Sequence, residues 1–294
     1  MDRRHFLIAA GALTLAPVLA QADDTSASAL RGLLWRVRCG EAPPSHLFGT
    51  LHSGDRRVLS KVPALRPLVS GARLFMPELL TDADAVNTYV AASVYGSDEL
   101  PRRVGKAKWP RVEKMLGLHG VDPRVAVQLR PWAALITLLQ PLEAQRPSLD
   151  EVLIELARRS QIPVQPIERV QEQIDAIASL PEPTLIALLV DAARRHDVIQ
   201  AGIEPMIAAW LDGKIDDLAR INAGLMSEEA ALRDHSRRFI HSLLDGRNAR
   251  FAERLLPEIR QGGVFAAFGA SHLTGAHGVI DRLKAAGCEV DATG

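Results

Sequence analysis

The chain has 294 residues, 47% of them hydrophobic and 24% charged, an ordinary balance for a soluble globular protein. Lysine plus arginine equals aspartate plus glutamate at 35 each, so the formal charge is zero. Without a basic stripe there is nothing to grip a phosphate backbone, and nucleic acid is excluded as a partner. Beyond the first residues no apolar run reaches the roughly 18 residues of a membrane-spanning helix, so no transmembrane segment is expected in the mature chain.

The start of the chain reads as an export signal. A basic stretch, Asp2-Arg3-Arg4-His5-Phe6-Leu7, leads into an apolar run from Leu7 to Ala20 and the small-residue triplet Ala20-Gln21-Ala22. Residues 1–22 are therefore expected to be a signal peptide, with Arg3-Arg4 resembling a twin-arginine signal. An uncleaved anchor is the alternative reading. The apolar run ends without a cysteine, which disfavours a lipoprotein anchor, and the expected location is periplasmic or secreted.

Strand signals follow near both ends. Leu34 to Arg38 alternates apolar and polar residues, and Pro43-Pro44 marks a turn before His46 to Gly49, which predicts a hairpin. Ala72 to Met76 reads as a third strand ending at Pro77-Glu78, and Pro163 to Ile167 as a fourth, followed by Glu168. Val264 to Phe268 is a continuous apolar run expected of a buried strand, and Cys288 to Asp291 reads as the last strand. Between them the apolar spacing is helical. A helix opens near Asp150, with Ser148 or Asp150 as N-cap, and others cover Pro183 to Asp197, Ile203 to Leu211, Ile215 to Ile221, Glu228 to Leu244, Asn248 to Ile259 and Gly278 to Ala286.

The expected class is α+β: a small mixed sheet formed by the N- and C-terminal segments, with a large helical middle. Residues 23–294 are expected to form one domain, because the first and last strands need each other. Cys39 follows the first strand and Cys288 begins the last, so an oxidising compartment allows one bridge; two separate thiols are the alternative.

Two segments share a design of apolar strand, glycine, two residues and histidine. They are Leu47-Phe48-Gly49-Thr50-Leu51-His52 and Ala267-Phe268-Gly269-Ala270-Ser271-His272. Both histidines fall just past a strand end, where side chains can converge on one cleft, and Glu78 follows a third strand by the same logic. Two imidazoles and a carboxylate suit a divalent metal with open positions for water and substrate.

These blocks resemble the TraB/GumN family, which includes the Tiki proteases. Gly49 to Asp55 resembles its first Gly-x-x-His block, and Phe268 to Gly275 its second. Pro77-Glu78 sits where the family carries its glutamate, and Gly246-Arg247-Asn248 resembles its Arg-Asn block at a helix start. Leu149 to Leu153, Pro166 to Glu168 with Gln173, and Ala209 to Gly213 resemble its middle. The resemblance implies an erythromycin esterase-like fold and a metal-dependent peptidase with a peptide or protein substrate. The metal would be manganese or cobalt, with zinc as a further option. It implies that His52, Glu78 and His272 hold metal or activate water, with Arg247 and Asn248 near the oxyanion. Two positions depart from the pattern: Phe251 stands where the family has methionine, and Leu79-Leu80 stand where an acidic residue is expected.

Each candidate has a structural alternative. The two histidines could be hydrogen-bonded strand-end residues, Glu78 a helix-start carboxylate, and Arg247 the partner of a helix-surface acid. Glu168, Asp55 and His277 read as supporting rather than catalytic residues, and Trp132 and Trp210 as core. A zinc helix of the His-Glu-x-x-His type, a nucleophile elbow and a Walker A loop are all absent from the sequence. Two rival functions remain: a metal-independent esterase-like hydrolase, and a non-catalytic periplasmic binding or regulatory protein on the same fold.

Overall fold

The structure, a computed structural model, describes residues 30–142, 147–224, 229–275 and 277–293. The signal-peptide expectation lies outside the described residues, as does Glu228. Five strands form one mixed sheet: β1 (Leu34–Arg38), β2 (Ser45–Thr50), β3 (Leu74–Pro77), β4 (Val264–Gly269) and β5 (Glu289–Ala292), in the order β3-β4-β2-β1-β5. β1 pairs antiparallel with β2, as the Pro43-Pro44 turn predicts, and antiparallel with β5 on its other side. β4 lies parallel between β2 and β3. Its first five residues are buried, which explains why Val264 to Phe268 is apolar without alternation. The expected α+β class is what the chain adopts, with helices filling the long stretch between β3 and β4.

Three expectations need correction. First, Pro163 to Ile167 is not a strand. The segment runs beside β3, with Gln165 N–H donating to Phe75 O at 3.0 Å and Glu168 N–H to Glu78 O at 3.0 Å. Pro163 and Pro166 bring no N–H, so the ladder reduces to one isolated bridge, Phe75 to Val164. Second, Gly246 does not start a helix. One helix of 30 residues, Ala230–Ile259, runs through it. A helical glycine costs about 1 kcal/mol, and the buried Phe251, Leu255 and Ile259 beyond it outweigh that. Third, Pro183 to Asp197 is not one helix. Glu182–Arg194 ends and His196–Ala201 follows, with Arg195 out of helical geometry so that His196 buries against His119 at 2.9 Å.

Two clusters of buried apolar side chains result. One packs against the sheet around Phe48, Phe75, Phe265 and Trp210; the other lies among the helices around Leu100, Leu116, Trp132 and Leu189. Both tryptophans are core, as the sequence suggests. Among the described residues no single helix is long and apolar enough to cross a membrane.

Cys39 and Cys288 are bonded, closing a separation of 249 residues beside the β1–β5 pairing. Because the closed loop is long, the bridge removes much unfolded-chain entropy. Replacing both cysteines by serine is expected to cost about 2–5 kcal/mol. Urea denaturation of the double variant, and of wild type with and without reductant, checks this.

Candidate functional site

Three strand ends lie at one edge of the sheet. Thr50 pairs with Gly269 and Pro77 with Ala267, so the turns after β2, β3 and β4 leave the sheet side by side. His52 lies two residues past β2, Glu78 immediately past β3, and His272 ends the 3₁₀ turn Ala270–His272 after β4. The two glycines make this possible. A Cβ on Gly49 would stand 3.0 Å from the Cα of Ala270, so only glycine lets that turn pack onto β2. A Cβ on Gly269 would meet His52 Nε2 at 3.4 Å, Glu78 Oε2 at 3.5 Å and His272 Cδ2 at 3.5 Å. Gly269 is thus the floor on which the three candidate groups converge.

The side chains are tied down. Asp150 Oδ2 accepts from His52 Nδ1 at 2.8 Å, and its Oδ1 accepts from Thr50 Oγ1 at 2.7 Å. His52 Nε2 then faces Glu78 Oε2 at 3.7 Å. Glu78 is buried; Gly269 N–H donates to its Oε2 at 2.9 Å, and Arg247 Nη2 donates to Oε1. On His272, Arg247 Nη1 lies 3.3 Å from Nε2, and a guanidinium can only donate. Nε2 therefore carries the lone pair and Nδ1 the proton, which it donates to Asn248 Oδ1 at 2.6 Å. Arg247 also donates from Nε to Glu168 Oε1 at 2.8 Å. Phe251, where the family pattern has methionine, packs on His272 with ring centroids 4.8 Å apart and under the Arg247 guanidinium at 5.3 Å.

The charges follow from these contacts. Asp150, and secondarily Glu78, raise the His52 pKa to about 10, although its side chain is 56% exposed. Burial alone would raise Glu78, but Arg247, His52 and His272 hold it well below the usual carboxylate range. Burial lowers His272 to about 4, so it is neutral. Burial raises Glu168 despite its contact with Arg247.

The five sequence candidates are thus neighbours, though their surroundings differ. His52, Glu78, Arg247 and His272 line a cleft of about 850 Å³. Asn248 lines an adjoining cavity of about 490 Å³ and is hydrogen-bonded to His272 of the cleft. Glu168 is a buried partner of Arg247, Asp55 caps the short helix Arg56–Leu59, and His277 lines the second cavity. Sequence reasoning missed Asp150 as a site residue. The signal was available: Ser148 and Glu151 form the capping box of the helix Leu149–Arg159, which leaves Asp150 free for other work.

Residue types fit a divalent metal, and on His52 the metal would displace the Nε2 proton that Asp150 and Glu78 hold in place. Both imidazoles have Nδ1–H held by an acceptor, the arrangement that orients Nε2 of a ligating histidine. Gly269 leaves space where these groups meet Glu78 Oε2. As the side chains stand, however, no group of three His, Cys, Asp or Glu among the described residues is arranged to hold a metal ion. The guanidinium of Arg247 is already on Glu78 and against His272 Nε2.

The His52–Asp150 contact gives a testable pH dependence. A histidine whose folded pKa lies above its unfolded value adds stability that is complete below pH 6.5 and is lost as pH rises through about 10. Asp150→Asn is expected to flatten that part of the profile. Urea midpoints of both proteins measured across this range check it.

Comparison with known proteins now bears on this geometry. The sequence model of the TraB/PrgY/gumN family matches residues 33–292. A protein named Metalloprotease TIKI2 from Danio rerio is 26% identical over 90% of this chain and 61% of its own length. Metalloprotease TIKI1 from Homo sapiens is 24% identical over 90% of this chain and 62% of its own. The chain thus spans less than two thirds of these relatives' length. No solved structure gives a significant match. The family match covers nearly all the described residues, and the chain belongs to the TraB/PrgY/gumN family.

Proposed function

We propose that this chain is an exported metal-dependent hydrolase acting on peptide bonds. The observation that carries the reading is the convergence of His52 Nε2, Glu78 Oε2 and His272 around Gly269. The metalloprotease names of its relatives support the same chemistry. His52 Nε2, His272 Nε2 and Glu78 would hold a divalent metal, with manganese or cobalt favoured by the family resemblance and zinc as the other option. A bound metal supplies a water of lowered pKa and polarises the scissile carbonyl.

The residues around it have separate tasks. Asp150 and Asn248 fix the two imidazoles from behind. Glu78, ionised far below neutral pH, is better suited to holding a cation than to taking a proton, since a base works best with a pKa near ambient pH. Arg247 offers N–H groups to the negative charge that develops on the carbonyl oxygen. Asn248 acts on His272 rather than on substrate. The Cys39–Cys288 bridge and the basic-then-apolar start support an oxidising, exported location. One observation favours a second reading: Arg247 occupies His272 Nε2 and Glu78 Oε1, which satisfies both groups without metal. That suits a metal-independent hydrolase or a binding protein.

Peptide hydrolysis by the mature chain is expected to disappear after chelation and return with manganese, cobalt or zinc. His52→Ala and Glu78→Gln are each expected to lower the rate about a hundredfold or more. Cleavage of a diverse peptide library checks both, with circular dichroism confirming folded variants. Activity that survives thorough chelation would transfer the assignment to the metal-independent hydrolase, and inactivity on every peptide to the binding protein.

A further inference from the structure

Arg247 holds an unusual position for a residue beside a metal-type donor set. It is buried, 5% exposed, and its guanidinium contacts two of the three candidate ligands directly. Nη2 donates to Glu78 Oε1, and Nη1 reaches His272 Nε2 at 3.3 Å. That ring nitrogen carries the electron pair a metal would take, because Nδ1 is committed as the donor to Asn248. The guanidinium and a metal ion therefore want the same lone pair on His272 and the same charge on Glu78. A metal held by those two groups would also be repelled by the guanidinium they share.

We infer that Arg247 is a resident cation that competes with the metal for Glu78 and His272. It balances the buried carboxylates of the metal-free chain and lowers the site's metal affinity. The inference rests on the metal-binding reading above. Three contacts would keep the guanidinium nearby once it releases those two groups. Nε donates to Glu168 at 2.8 Å, Nη1 donates to Leu243 O at 3.1 Å, and the Phe251 ring lies 5.3 Å beneath. Nη2 also donates to Glu168 Oε1, so release of Glu78 and His272 frees one N–H on Nη1 and one on Nη2 for an oxygen of the substrate. Arg247 thus has two alternative sets of partners, one for the empty site and one for the loaded site.

Metal affinity tests this without any activity assay. Arg247→Gln alone leaves buried Glu78 without its guanidinium and Glu168 with Arg250 only, and can fail to fold. The comparison is therefore between Glu168→Gln and the double variant Arg247→Gln/Glu168→Gln, beside wild type, by calorimetric titration of the chelated chain with Mn²⁺ and with Zn²⁺. The double variant is expected to bind roughly tenfold more tightly or better than Glu168→Gln, as removal of a nearby unit charge requires. Adding His52→Ala should abolish that gain. Each metal should also raise the melting temperature of the double variant more than that of Glu168→Gln. Equal or weaker binding by the double variant overturns the competition, and leaves the metal reading standing if wild-type binding needs His52 and Glu78. Absence of binding by every folded variant overturns both together.

Discussion

The parallel pairing of β4 with β2 on one side and β3 on the other is the contact on which the rest of the molecule depends. It brings Gly269 level with Thr50 and Ala267 level with Pro77, although long stretches of chain separate them. Non-local pairing of this kind carries a loop-closure cost that local contacts do not repay. The apolar run Val264 to Phe268 answers it with burial on both faces, and Phe265 lies against Phe48 and Phe75 with centroids 6.4 and 6.0 Å apart. β5 on β1 and the Cys39–Cys288 bond then fix the far end of the chain to the first hairpin. Shift β4 by one residue and Gly269 no longer faces Gly49's turn, so the two histidines part company. Fold and site share one register.

The long helix Ala230–Ile259 supplies what the sheet edge lacks. Successive residues Arg247 and Asn248 hold His272 from its two ring nitrogens, and Arg247 also takes Glu78 and Glu168. Buried charges of this sort rarely repay their desolvation, so apolar replacements of the same shape are commonly no less stable. Stability alone is therefore a weak reason to keep Arg247, Glu78 and Glu168 together. Orientation is a better one. Each carboxylate oxygen of Glu78 already accepts a hydrogen bond, and each imidazole is held at Nδ1, so the donor set has little freedom left before any ligand arrives.

Much of this was legible in the residues, and what was not has identifiable causes. Alternation in Leu34 to Arg38 reported a strand, and the unbroken apolar run of β4 reported a buried one, because burial on both faces leaves no polar position. The Gly-x-x-His repeats pointed to the cleft because each glycine answers a steric need at a strand end. Asp150 was hidden by its position: an acid in the first turn of a helix already has a local explanation, and only the fold shows it bridging Thr50 and His52. Gly246 misled for the opposite reason, since local propensity is a weak prior against burial further along the same helix. Pro163 to Ile167 has strand composition and lies beside β3, but two missing N–H groups keep it out of the ladder. Pairing of Cys39 with Cys288 needed the distance that only the sheet supplies.

The cleft is lined from both apolar clusters, so its floor and its walls come from different parts of the fold. Its floor is the sheet edge, with His52, Glu78 and His272. One wall carries Ile154, Ile207 and Leu218 from the sheet-side cluster; the other carries Tyr89, Ile136 and Leu243, which pack on the helical cluster. Floor residues are fixed by strand register and cannot move without breaking the sheet. Wall side chains sit on helices and face the cleft, where volume-conserving exchanges are tolerated. One floor can therefore serve many walls. Under the hydrolase proposed above, the floor would carry the reaction and the walls the choice of substrate, so substrate preference could change with no change at the sheet edge.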